Sequence, residues 1–232
     1  MRAVRPAVGR TGHDGLVTDA ATRETRRGRA RMSGKQRREQ LLDVGRTLFA
    51  ARGFEGTSVE EIAAKAGVSK PVVYEHFGGK EGLYAVVVDR EMRSLLERIT
   101  GALTTATRPR ELLEFAALAL LDYIEQSTDG FRILVRDSPV GESTGSFASL
   151  ISDATSQVEH LLVAEFKARG YDAKTAPMYA QMLVGMVALT GQWWLDARKP
   201  RKAEVAAHLV NLAWNGLSGL EARPQLSVNR QS

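Results

Sequence analysis

The sequence predicts an all-α chain, a three-helix helix-turn-helix unit followed by a bundle of six helices, and three observations carry that reading. Apolar residues recur at three- and four-residue spacing from Lys35 almost to the C-terminus, turn-forming residues separate the periodic stretches, and no convincing strand is seen. The 232 residues, 44% hydrophobic and 25% charged, have ordinary globular composition with enough apolar content for a sizeable core. There is no cysteine, which removes disulfides, thiolate nucleophiles and Cys-type zinc sites together. No run approaches the ~18 apolar residues of a membrane span, and the N-terminus lacks the apolar stretch of a secretory signal. A cytoplasmic protein is expected.

Charge is unevenly distributed. Residues 1–38 hold eleven Lys and Arg against three acids, a net +8, whereas the whole chain carries +5 and residues 81–232 carry −2. An excess at one end suits a part that meets a polyanion. Residues 1–32 show no period and read as a disordered basic arm, either a solvated tail or a segment that enters a DNA minor groove. Met32 lies at the composition break, and a second reading starts the chain there.

From Lys35 the helical period begins. Leu41, Val44, Gly45, Leu48 and Phe49 form one stripe, and Gly53 ends this first helix. Thr57-Ser58-Val59-Glu60 fits a capping box with Thr57 as the cap, and Val59, Ile62, Ala63 and Ala66 supply the inward face of a second helix. Gly67 tolerates positive φ in the turn that follows, Ser69 is placed to cap a third helix, and Pro71 falls in its first turn. Val73 and Phe77 face inward, leaving Lys70, Val72, Glu75 and His76 outside with Tyr74 divided between the two. This is the pattern of a helix-turn-helix. A helix ~10–12 Å across fits a major groove ~12 Å wide, so the exposed side chains of the third helix can meet base edges. The competing reading is a helical hairpin that binds nothing.

The run Gly53-Phe54-Glu55-Gly56-Thr57-Ser58, continued through Ala66-Gly67-Val68-Ser69-Lys70-Pro71-Val72-Val73-Tyr74-Glu75-His76-Phe77-Gly78-Gly79-Lys80, resembles the DNA-binding segment of the tetracycline-repressor (TetR) family, over roughly residues 36–84. The resemblance implies a homodimeric transcription factor, in most members a repressor, that a small molecule releases from DNA. By position it implies DNA contacts from Thr57, Ser58, Lys70, Pro71, Val72, Tyr74 and His76, and a phosphate contact from Lys80. The chemistry of these residues agrees. Pro71 and Val72 offer apolar contact to a thymine methyl, and Lys70 can donate to guanine O6 and N7. Tyr74 and His76 can donate to phosphate or form a satisfied surface pair, and Thr57 is either a contact or a plain cap. Lys80 opens the next helix, where a cation opposes the helix dipole, so the sequence offers it no stabilising role of its own and a phosphate would account for it. Glu75 is a departure from the aromatic residue often found there and is left out of the site.

Beyond Leu83 the period continues in six further stretches, at about 83–105, 112–124, 131–136, 147–166, 176–195 and 203–220. We therefore expect a DNA-binding unit over 33–83, a ligand-binding and dimerisation unit over 84–223, and a disordered tail over 224–232. The last two helices are apolar over too much of their circumference to be wet on one side. Met178, Met182, Gly185 or Met186, Leu189 and Trp193 line one face, and Gly191, Gly216 and Gly219 permit close approach. In the family these helices form the dimer interface, so the resemblance implies it here, with a buried intrachain hairpin as the alternative. Tyr123, Phe131, Phe147, Met182, Met186 and Trp193 are candidates to line a cavity for an apolar or amphipathic small molecule, although such residues at helical spacing also make ordinary core.

An enzyme reading exists. Gly141-Glu142-Ser143-Thr144-Gly145 has the spacing of a hydrolase nucleophile elbow around Ser143, but no parallel sheet is present to hold it. The four histidines show no metal-ligand spacing. No cofactor is expected.

Overall fold

The computed structural model describes residues 32–136 and 147–226, and among them the regular structure is helical throughout. The helices are α1 (Gly34–Arg52), α2 (Val59–Ala66), α3 (Lys70–Phe77), α4 (Lys80–Leu103), α5 (Pro109–Gln126), α6 (Thr128–Val135), α7 (Phe147–Arg169), α8 (Ala176–Ala197) and α9 (Lys202–Ser218). A single 3₁₀ turn, Ala173–Thr175, precedes α8. The basic arm, the segment containing Ser143 and the last six residues lie outside the described residues.

The chain divides into two compact units after Glu39, described over residues 32–39 in the first and over 40–136 and 147–226 in the second. In the first, Ser33 caps α1 reciprocally: its hydroxyl accepts from the Gln36 amide at 3.2 Å while the Gln36 side chain accepts from the Ser33 amide at 2.8 Å. The Ser-x-x-Gln spacing specifies this.

The second unit contains two apolar clusters. Leu41, Phe49, Ile62, Val73 and Leu83 are buried in one; Leu95, Leu121, Ile124, Phe131 and Trp194 are buried in the other. α4 serves both, giving Leu83, Tyr84 and Val87 to the first and Met92 and Leu95 to the second. Aromatic edges close the first cluster, with Tyr84 T-shaped against Phe49 at 5.0 Å and against Phe54 at 5.1 Å.

α6 starts earlier than the sequence indicates. Thr128, Asp129 and Gly130 read as a break but form its first turn, and the break falls on Ser127, whose φ of −129° and ψ of 47° are not helical. Thr128 returns its hydroxyl to the Ile124 carbonyl at 2.9 Å, which leaves no room for a loop between α5 and α6. Ile133 of α6 is buried in the first cluster, not the second. The Arg136 guanidinium donates to the Phe49 carbonyl at the end of α1, 3.3 Å away.

Candidate nucleic-acid interface

The local geometry that aims α3 begins at the cap of α2. The cap is Ser58, one residue later than the sequence indicates: its hydroxyl accepts from the Glu61 amide at 3.2 Å, and Glu61 accepts from the Ser58 amide at 3.3 Å. Thr57 is displaced from that role. It is 2% exposed and its hydroxyl donates to the Gly53 carbonyl at 2.8 Å, so its side chain points into the protein, not toward a ligand. At the other end of α2, Gly67 adopts φ 65°, and the Val68 amide reaches back to the Ala63 carbonyl at 2.9 Å. That left-handed cap makes the sharp reversal between α2 and α3, and a side chain at Gly67 would be strained there.

α3 then buries Val73 completely and half-buries Val72, His76 and Phe77, leaving Lys70, Pro71, Tyr74 and Glu75 exposed. Tyr74 is 54% exposed, far too much for a core aromatic. Ser69 occupies the cap position, but its side chain makes no capping hydrogen bond. The exposed face thus unites Lys70, Pro71 and Tyr74 with Val72 and His76 along its border, and Ser58 lies half-buried at the start of α2.

Two cations of the candidate set are already occupied. Lys70 pairs with Glu60 on the first turn of α2, and that hydrogen bond holds the Glu60 carboxyl below its ordinary range. Lys80 donates to the Phe54 carbonyl at 3.1 Å with its ammonium 4.1 Å from the centre of the Phe54 ring. Contrary to the sequence reading, Lys80 therefore has a stabilising role of its own: a carbonyl and an aromatic face offset the unfavourable dipole. An ammonium has three donors, so a phosphate can still be reached.

The residues suggested for a ligand cavity do not converge. Tyr123 and Phe131 are fully buried core, edge to face at 6.4 Å. Met182 and Trp193 are each 55% exposed on α8, whereas Met186 packs against the second cluster. The Phe147 side chain lies outside what is described. An open groove of about 340 Å³ is lined instead by Gln126 and by residues the sequence does not single out, Arg98 and Ala102 of α4 with Phe115, Leu118 and Asp122 of α5 among them. Arg98 donates to Gln126 there at 2.7 Å.

A second omission is Glu91, 5% exposed on α4. The signal is present: Glu91 sits four residues after Val87 and four before Leu95, a charge on a stripe that is otherwise apolar.

Residues 41–87 match the family model for bacterial regulatory proteins of the tetR family, and residues 109–216 match the tetracyclin repressor-like C-terminal domain. Over 214 residues the chain is 32% identical to the HTH-type transcriptional activator FasR of Mycolicibacterium smegmatis, covering 87% of this chain and 97% of that protein. The chain belongs to the TetR family. A TetR-like transcriptional regulator from Rhodococcus sp. RHA1 superposes with a TM-score of 0.70 at 29% identity, covering 82% of this chain and 100% of that one. A shorter match, 37% identical over 89 residues, is to the transcriptional repressor KstR2 of M. smegmatis, covering 38% of this chain and 43% of that one. This TetR-family member is accordingly a DNA-binding transcriptional regulator and not an enzyme, and the hydrolase reading of Ser143 finds no support. Among the described residues no group of three His, Cys, Asp or Glu could hold a metal, and no helix is long and apolar enough to cross a membrane.

Proposed function

We propose that this TetR-family regulator binds a pseudo-palindromic operator as a homodimer joined through α8 and α9, and that a small apolar or amphipathic molecule changes its affinity for DNA. Residues 33–83 act as the DNA-binding unit and residues 84–223 as the unit for ligand and dimer, in the cytoplasm. The observation that carries the dimer is a row of exposed apolar side chains at helical spacing on α8, with a further one on α9. Met178, Met182, Leu189 and Trp193 are 49–65% exposed on α8, Leu212 is 66% exposed on α9, and a Cβ added at Gly185 or Gly216 would meet nothing within 4 Å. Large apolar side chains in such a row favour a self-complementary partner. Gly191 serves the interior instead, since a Cβ there would lie 3.0 Å from Leu120 and 3.1 Å from Ile124, and its absence lets α8 approach α5 within the chain.

A two-fold axis places two copies of α3 in successive major grooves, ~34–36 Å apart, with Lys70, Pro71, Val72, Tyr74 and His76 toward the bases and phosphates and Ser58 and Lys80 toward the backbone. Repression follows where the operator overlaps a promoter. The test is selection of genomic fragments by the purified full chain, followed by sedimentation of the protein with and without the selected duplex. A two-fold symmetric motif bound by two chains supports the proposal. A monomer, or retention of random fragments alone, overturns it.

A further inference from the structure

Glu91 is the only buried charged side chain among the described residues. One carboxylate oxygen lies 2.9 Å from Arg46 Nε on α1, and that N–H is not aimed along the line, so charge holds the contact more than a hydrogen bond does. The other oxygen accepts from the Tyr123 hydroxyl of α5 at 2.7 Å, and the Glu91 carbonyl lies 3.2 Å from the same hydroxyl. Gly130 of α6 makes room for this: a Cβ there would stand 1.9 Å from Glu91 Oε2 and 2.7 Å from the Tyr123 oxygen. Four helices thus meet at one polar point between the apolar cluster that supports α3 and the cluster of the bundle.

Apolar faces tolerate small slips, because one methyl contact replaces another. A buried carboxylate does not, since any slip leaves it without its partners. Such a group is a poor source of stability and a good source of register. We propose that Arg46, Glu91 and Tyr123 form a register lock that holds the helix-turn-helix in one pose on the bundle and so fixes the half-site spacing that the dimer accepts. This rests on the two-fold operator reading above. All three act as positioning residues, since none lies on the exposed face of α3.

The experiment titrates the full-length dimer against its selected operator and against duplexes with one base pair inserted or removed between the half-sites. Arg46→Met/Glu91→Leu replaces the pair by apolar side chains of similar size. We expect it to melt no lower than wild type and to bind random duplex with unchanged affinity and salt dependence. Its preference for the native spacing should fall about tenfold. Tyr123→Phe should show a smaller loss, and it decides alone if the double variant does not fold. Spacing preference retained in the folded double variant, or in Tyr123→Phe if that stands alone, makes the cluster merely structural and overturns the lock. Absence of any spacing preference in wild type overturns the operator reading and the lock with it.

Discussion

Lys80 illustrates how one side chain can serve the free protein and a ligand in turn. Its ammonium rests on the Phe54 ring and carbonyl, an arrangement worth roughly 0.5–1 kcal/mol at a partly exposed site. Lys80→Ala should therefore lower stability by about that amount, read by chemical denaturation. It should also weaken binding to every duplex alike and reduce the slope of log affinity against log salt by about 0.9 per lost phosphate contact. Thr57 separates the two effects in the opposite sense. Thr57→Val removes the donor to the buried Gly53 carbonyl and should cost about 1–2 kcal/mol, with operator affinity of the folded variant unchanged. Tyr123 gives the pH dependence. Burial, then the Glu91 charge, pushes its phenol well above the ordinary value of 10.0. Below pH 10 that contribution is complete. Above it the unfolded chain ionises while the folded Tyr123 stays protonated, so stability falls as pH rises, by roughly 1 kcal/mol per pH unit. Alkaline melts of Tyr123→Phe should lose that share of the slope.

Helices are readable where one period governs them. The stripe of α1, the inward face of α2 and the burial of Val73 all follow from three- and four-residue spacing and are found as such. Caps are readable only to within a residue, because Thr57 with Glu60 and Ser58 with Glu61 offer the same box in adjacent registers. The choice between them depends on Gly53, whose carbonyl engages Thr57 once α1 has ended. The start of α6 escapes the sequence for a related reason: Thr, Asp and Gly are turn formers on average, and only packing against Glu91 and Tyr123 explains a glycine inside a helix. Gly130→Ala makes that explicit. Alanine is the better helix former by about 1 kcal/mol, yet this variant should unfold at lower temperature than wild type in a calorimetric scan, because a methyl has nowhere to go.

At the level of the whole molecule, the candidate DNA surface is legible in the sequence and the interior chemistry is not. Lys70 and Glu75 are exposed as helical phase indicates and Tyr74, which the phase divides between inside and outside, is exposed as well, whereas Val72 and His76, expected outside, are half-buried. Tyr123 and Phe131 belong to the core and not to a cavity, and residue type cannot tell a core aromatic from a lining one. The join of Arg46, Glu91 and Tyr123 involves residues 45 and 32 positions apart along the chain, and no local period reports such a meeting. Association is the property best tested at this scale. Leu189→Glu puts a charge at the centre of the exposed row on α8 and should yield monomers by light scattering at micromolar concentration, with operator binding lost and the thermal transition of each chain retained.

Three indoles divide that same region among distinct environments. Trp193 is open to solvent, whereas its neighbour Trp194 is 2% exposed and donates its indole N–H to the Pro200 carbonyl at 2.8 Å. Trp214 is intermediate. For the dimer proposed above these indoles make an intrinsic optical gauge: on dilution the emission of Trp193 should move to longer wavelength as two copies part, while Trp194 holds its colour as an internal reference.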